Sequence, residues 1–114
     1  MKIVISYRDK FIRKDLAREL AGHYPNSVVE SYGDFMLAAK SVYSDPADVA
    51  VLGVEGIKVI NMLRKRESDI RVIIVADNSL HSDEAYEGGA DAYITIPYKS
   101  DDLFATIEGT YEVL

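Results

Sequence analysis

Few side chains in this chain could do chemistry, and most of them stand alone. There is no cysteine, which removes disulfides, thiolate metal sites and thiol nucleophiles. His23 and His81 have no companion at metal or catalytic spacing. Gly53-x-x-Gly56 and Gly88-Gly89 are too short for phosphate loops, and no Lys-Ser or Lys-Thr follows them. A flavin site would want a loop rich in Ser and Thr after the first strand, and SYRDKF offers only Ser6. Among the carboxylates, Asp9, Glu55 and Asp77 stand in segments that directly follow apolar runs. A carboxylate is the group that binds a hard cation such as magnesium. It also caps helices, so Asp9 and Asp77 fit as loop or N-cap acids and Glu55 as a first-turn acid.

What must position these residues is a set of alternating elements. Residues 3–5, 49–54 and 72–76 are continuously apolar, as parallel strands covered on both faces tend to be. Residues 27–32 are more mixed and fit a strand near an edge, and 92–96 is a fifth strand closed by Pro97. Helices fit between them. Ile12, Leu16 and Leu20 share one face, and Phe35, Ala38, Ala39 and Val42 follow helical spacing. Ile60 and Leu63 make a shorter stripe, followed by Arg64, Lys65 and Arg66, cations suited to a helix C-terminus. Residues 79–88 carry a weak pattern and predict a short helix. Leu103, Ile107, Tyr111 and Leu114 form the last apolar face, so residues 110–114 still fit a helix.

Strand and helix thus alternate five times, which implies a parallel sheet with right-handed crossovers. The expected fold is α/β, a flavodoxin-like, doubly wound, five-stranded parallel sheet of order 2-1-3-4-5 with helices on both faces. At 114 residues it forms one domain, 1–114, with no internal repeat or linker. In such sheets ligands sit beyond the carboxyl ends of the strands. Those ends are Ser6-Tyr7-Arg8-Asp9, Gly53-Val54-Glu55-Gly56, Ala76-Asp77-Asn78 and Thr95-Ile96-Pro97.

The net charge of −6 argues against a nucleic-acid or anionic-membrane surface on this domain. No apolar run reaches the roughly 18–20 residues of a membrane span. The apolar stretch at the start is too short for a signal peptide, and the absence of cysteine suits a reducing cytoplasm. Cytoplasmic localisation is the expectation.

GGADAYITIPY, residues 88–98, is similar to the Gly-Ala-Asp-x-Tyr-x-x-Lys-Pro-Phe signature of the receiver domain of two-component response regulators. KIVIS, ADVAVLG and DIRVIIVAD resemble that family's first, third and fourth strands. The chain therefore resembles a receiver domain of the chemotaxis-regulator type over nearly its whole length. The resemblance implies a site in which two acids hold magnesium and an aspartate accepts a phosphoryl group. A hydroxyl and a lysine bind the phosphoryl oxygens, because the metal and the lysine offset the charge of the transferring group.

Carried over by position, the acid pair falls on Tyr7 and Arg8, the acceptor on Gly53, the hydroxyl on Ala76 and the lysine on Ile96. None has the required chemistry, and Arg8 would repel magnesium. The loop after the third strand is also shorter than the family's, and only Gly56 of it remains. The expectation is a pseudo-receiver with no catalytic residue, no metal and no cofactor. It would be a phosphorylation-independent regulatory module of two-component type, a dimerisation or docking domain in transcription regulation. Arg8 pairing with Asp9, Glu55 or Asp77 would fill the vacated pocket. Two alternatives are a receiver using Glu55 or Asp77 as acceptor with magnesium, and a domain that binds a small ligand. Tyr93 falls on the family's switch aromatic. By resemblance the output face is helix 4, strand 5 and helix 5, with Tyr86, Asp91, Tyr93, Tyr98, Lys99, Asp101 and Asp102. Tyrosines among charges suit a protein partner or self-association there.

Overall fold

The computed structural model describes residues 1–109. The predicted helical segment 110–114, with Tyr111 and Leu114, lies outside the described residues. The order is β1 (Lys2–Ser6), α1 (Lys10–His23), β2 (Val28–Tyr32), α2 (Phe35–Ser44) and β3 (Val49–Leu52). A 3-10 helix, Val54–Val59, then leads into α3 (Ile60–Arg66), followed by β4 (Arg71–Ala76), α4 (Ser82–Glu87), β5 (Ala92–Thr95) and α5 (Ser100–Glu108). All four strand pairings are parallel, and the sheet order is β2-β1-β3-β4-β5, as expected.

The continuous apolar runs have a simple cause. Alternate residues of each strand feed two separate cores. Ile3, Ile5, Val49, Val51, Ile73 and Val75 pack with Leu16 and Leu20 of α1 and with Leu103 and Ile107 of α5. Val4, Ala50, Leu52, Val72 and Ile74 pack on the other face with α2 and α3, through Ala38, Val42, Ile60 and Leu63. Each fully buried Leu or Ile contributes about 1.5–3 kcal/mol, so both faces must be covered for the fold to hold. The mixed run predicted near an edge is the edge strand β2.

Helix starts follow local chemistry. The Asp9 carboxylate accepts from the N–H groups of Phe11 (2.9 Å) and Ile12 (3.1 Å), and Asp34 accepts from the Met36 N–H at 2.6 Å. Arg64, Lys65 and Arg66 form the last turn of α3. α5 ends on Gly109 at φ 68, a left-handed cap that favours glycine.

Two strands stop short of the expected residue. The third strand, expected to reach Val54, stops at Leu52. The Gly53 N–H makes a last ladder bond to the Ser6 carbonyl at 2.8 Å, and then Gly56 N–H donates to the Gly53 carbonyl at 2.9 Å and closes a turn. Val54 stays apolar because it packs against the core from inside that turn. Gly56 sits so close to Leu52 that a Cβ there would lie 2.7 Å from the Leu52 Cβ. The fifth strand stops at Thr95, one residue short, although the Ile96 N–H still reaches the Ala76 carbonyl at 2.8 Å.

Candidate functional site

The loops after β1, β3 and β4 meet at the carboxyl ends of the central strands. Tyr7, Arg8, Gly53 and Ala76 all fall there, as the sequence placed them. They line two adjoining hollows that share Tyr7, Arg8 and Glu55. The larger, about 430 Å³, has Ile12, Val54, Val75 and Ala76 among its walls and Asp9, Asp77 and Asn78 among its polar groups. The smaller, about 170 Å³, includes Gly33, Phe35, Gly53 and Gly56. Ile96 lines neither, and packs half-buried against the α1/α5 core.

Tyr7 decides the shape of this end. A Cβ built on Gly53 would lie 3.3 Å from the Tyr7 ring and 3.1 Å from a Glu55 carboxylate oxygen. The end of β3 is thus covered by Tyr7 and Glu55. The Tyr7 hydroxyl donates across the larger hollow to Asp77 at 3.5 Å. Its pKa is pushed up to about 12, first by burial and then by the negative charge of Asp77, Glu55 and Asp9. Arg13 holds the loop from below, donating to the carbonyl oxygens of Tyr7 (2.8 Å) and Arg8 (3.3 Å). Of the three partners expected for Arg8, the structure gives it Glu55, with Nε to Oε1 at 3.5 Å and the Arg8 side chain 83% exposed. Asp9 serves as the cap of α1.

Chemically, this end presents a guanidinium, a phenol and three carboxylates around an apolar floor. Gly53, the position to which the resemblance assigns the acceptor, has no side chain. Among the described residues, no group of three His, Asp or Glu is placed to hold a metal ion.

The residues expected on the α4–β5–α5 face separate into groups. Tyr86, Tyr93 and Asp102 surround one hollow of about 250 Å³. Tyr86 is half exposed. Tyr93 is held by the β4–α4 loop, its hydroxyl donating to the Asn78 carbonyl at 2.7 Å, and burial raises its pKa. Asp91 is drawn inward, accepting from Arg64 and from the Val72 N–H, both at 2.8 Å. Tyr98 packs against the α1/α5 core, and its pKa is pushed up to about 12 by burial, then by Glu19 and Asp15 of α1. Lys99 is the N-cap residue of α5, and Asp101 lies with Asp102 in its exposed first turn.

Sequence reasoning missed several placements. His23, an exposed residue in the last turn of α1, also stacks its ring on Phe104 of α5, centroids 3.7 Å apart, a contact no local pattern announces. Phe11 and Leu80, each next in the chain to a residue lining the larger hollow, are both 79% exposed, and no pattern in the sequence marks them. No helix of the described residues is long and apolar enough to cross a membrane.

No family model matches the chain, and no curated protein matches it. Solved structures do. A LuxR-family DNA-binding response regulator from Staphylococcus aureus is 20% identical, with 96% of this chain and 97% of that chain covered and a TM-score of 0.83. A CheY-like response regulator receiver domain from Methanospirillum hungatei is 21% identical over 95% and 90%, with a TM-score of 0.82. The beryllofluoride-activated DrrB receiver domain is 22% identical over 96% and 95%, also with a TM-score of 0.82. The chain therefore has the receiver-domain fold of two-component response regulators. At these identities the likeness speaks for the fold alone.

Proposed function

We propose that this domain is a phosphorylation-independent signalling module of two-component type, a pseudo-receiver that works through protein contacts. The observation that carries the reading is the covered end of β3. Gly53 offers no atom to accept a phosphoryl group, and the space a carboxylate would need is bounded by the Tyr7 ring and the Glu55 carboxylate. Tyr7 and Arg8 stand where the resemblance puts the two metal-binding acids, and neither supplies a carboxylate oxygen. Ala76 and Ile96 supply neither a hydroxyl nor a cation for the phosphoryl oxygens. The domain would act as a dimerisation or docking unit of a regulator, not as an enzyme. Its contact surface is the α4–β5–α5 face, where Tyr86, Tyr93 and Asp102 surround one hollow. The net charge of −6 makes this domain unsuited to grip DNA itself.

The test is an amide NMR titration with magnesium, and then with beryllofluoride, a mimic of an aspartyl phosphate. The expected result is no saturable shift at Arg8, Gly53, Ala76 or Ile96. Localised, saturating shifts would mean that Glu55 or Asp77 has taken over the acceptor role, and would overturn the proposal.

A further inference from the structure

We infer that the 430 Å³ hollow is a docking pocket for a protein partner, which inserts one arginine or lysine side chain and covers Phe11 and Leu80 with apolar neighbours of that cation. The inference rests on the reading above, because a pocket still serving magnesium and phosphate would not be free for a side chain.

Three independent features point to this occupant. The first is shape. The volume lies in the range of pockets that enclose a ligand group, and Ile12, Val54, Val75 and Ala76 give it an apolar lining. A hydrated metal ion has no use for such walls. The aliphatic stem of Arg or Lys does, since these side chains lay their methylenes on apolar surface and keep the charge at a polar tip.

The second is charge. Asp9, Glu55 and Asp77 face the hollow against the single guanidinium of Arg8. All three carboxylates act on the Tyr7 hydroxyl, adding to burial in raising its pKa. An anionic ligand meets this excess unfavourably and a cation favourably. Arg8 itself is 83% exposed and holds Glu55 at 3.5 Å, a surface contact that an incoming cation displaces at little cost.

The third is exposed apolar surface next in the chain to the lining residues. Phe11 and Leu80, each 79% exposed, are the most exposed large apolar side chains among the described residues. Phe11 adjoins the lining residue Ile12, and Leu80 adjoins the lining residue His81. Free small cations would fill the hollow and leave both side chains in water. A polypeptide covers them, and large apolar groups around a polar anchor are the usual make-up of a binding hot spot.

Three probes test this by amide shifts on the whole chain: acetyl-Leu-Arg-Phe-amide, acetyl-arginine-amide and acetyl-Leu-Glu-Phe-amide. We expect the arginine tripeptide to give saturable shifts confined to residues 7–12, 54–55 and 76–81. It should bind at least about tenfold more tightly than acetyl-arginine-amide, and the glutamate tripeptide should give no localised shift. Phe11→Ala with Leu80→Ala should erase the tenfold gain while sparing the weaker binding of acetyl-arginine-amide. Asp77→Asn should weaken both arginine probes.

Equal affinity for the tripeptide and the single arginine would make this a small-cation site and overturn the docking inference. Equal affinity for the glutamate tripeptide, or no localised shift from any probe, would overturn it as well. The magnesium and beryllofluoride titration reports on the phosphorylation-independent reading separately. Failure of the peptides leaves that reading standing, and saturable shifts with beryllofluoride sink it.

Discussion

The two ends of the sheet are built differently. At the amino ends of the strands, cations donate short bonds to backbone carbonyls across elements. Arg64 reaches the carbonyl oxygens of Ile70 (2.7 Å) and Gly89 (2.6 Å) and the Asp91 carboxylate (2.8 Å). Arg71 ties β4 to the Thr106 carbonyl of α5 at 2.7 Å, and Lys2 reaches the Asp45 carbonyl at 2.7 Å. At the carboxyl ends, Tyr93 and Arg13 each donate one short bond to a loop carbonyl, at 2.7 and 2.8 Å, but the side-chain contacts from loop to loop are longer. Tyr7 meets Asp77 at 3.5 Å, and Arg8 meets Glu55 at 3.5 Å. One end fastens the fold. The other is joined across its loops by longer, more exposed contacts.

The fastened end should yield the largest mutational effect. Arg64→Ala removes three bonds from a partly buried guanidinium and leaves the Ile70 and Gly89 carbonyls without that donor. Charge-assisted bonds of this kind make the expected loss about 2–3 kcal/mol. Urea unfolding would measure it as a lowered midpoint at unchanged slope. A loss under about 0.5 kcal/mol would show that the amino-end network is decorative and dissolve the contrast.

An intermediate effect should come from alkaline pH, where Tyr7 and Tyr98 at the open end add to Tyr24 at the other, whose phenol is raised by burial and by the Glu108 carboxylate that accepts its hydrogen bond. The phenols of Tyr7 and Tyr98 titrate at about 12 in the folded chain, against an ordinary value of 10. Their raised pKa means that the unfolded chain gives up these protons first. Their contribution is complete below pH 10 and is lost as the pH rises from 10 through 12. Both groups remain partly wetted, so the decline is smaller than the Arg64 loss. Unfolding midpoints taken between pH 8 and pH 12 should fall, and Tyr98→Phe should flatten the fall. A curve unchanged by that substitution would remove Tyr98 from the account.

The same contrast explains what the sequence could disclose. The sheet order was legible because five apolar runs alternate with helical stripes, and both cores draw on those runs. The turn at Gly53 was hidden because Val54 stays apolar to serve the core from a 3-10 turn, so composition did not change where the backbone did. The residue types at Tyr7, Arg8, Gly53 and Ala76, on which the proposal rests, were legible one by one. Their enclosure was not, because the Tyr7 ring over Gly53 is a contact between residues far apart in the chain. Arg64 suited a helix end, which is a local property. Its bonds to Gly89 and Asp91 span 25 and 27 residues, and no local pattern encodes them. The stack of His23 on Phe104 was hidden for the same reason.

The smallest expected effect is the most discriminating for the open end. Arg8→Ala removes the ion pair with Glu55, and an exposed pair at that distance contributes about 0–0.5 kcal/mol. Stability should therefore stay within about 0.5 kcal/mol of the parent, with no dependence on salt beyond that range. Tyr7 should keep its place over Gly53, because Arg13 holds the loop through the carbonyl oxygens of Tyr7 and Arg8 independently of the Arg8 side chain. Amide shifts should then change at Arg8 and Glu55 and not at Gly53 or Ala76. A loss above about 1 kcal/mol, or shifts spreading to Ala76, would mean that Arg8 braces the whole carboxyl end. That end would then be as fastened as the other, and a partner's cation could not displace Arg8 cheaply.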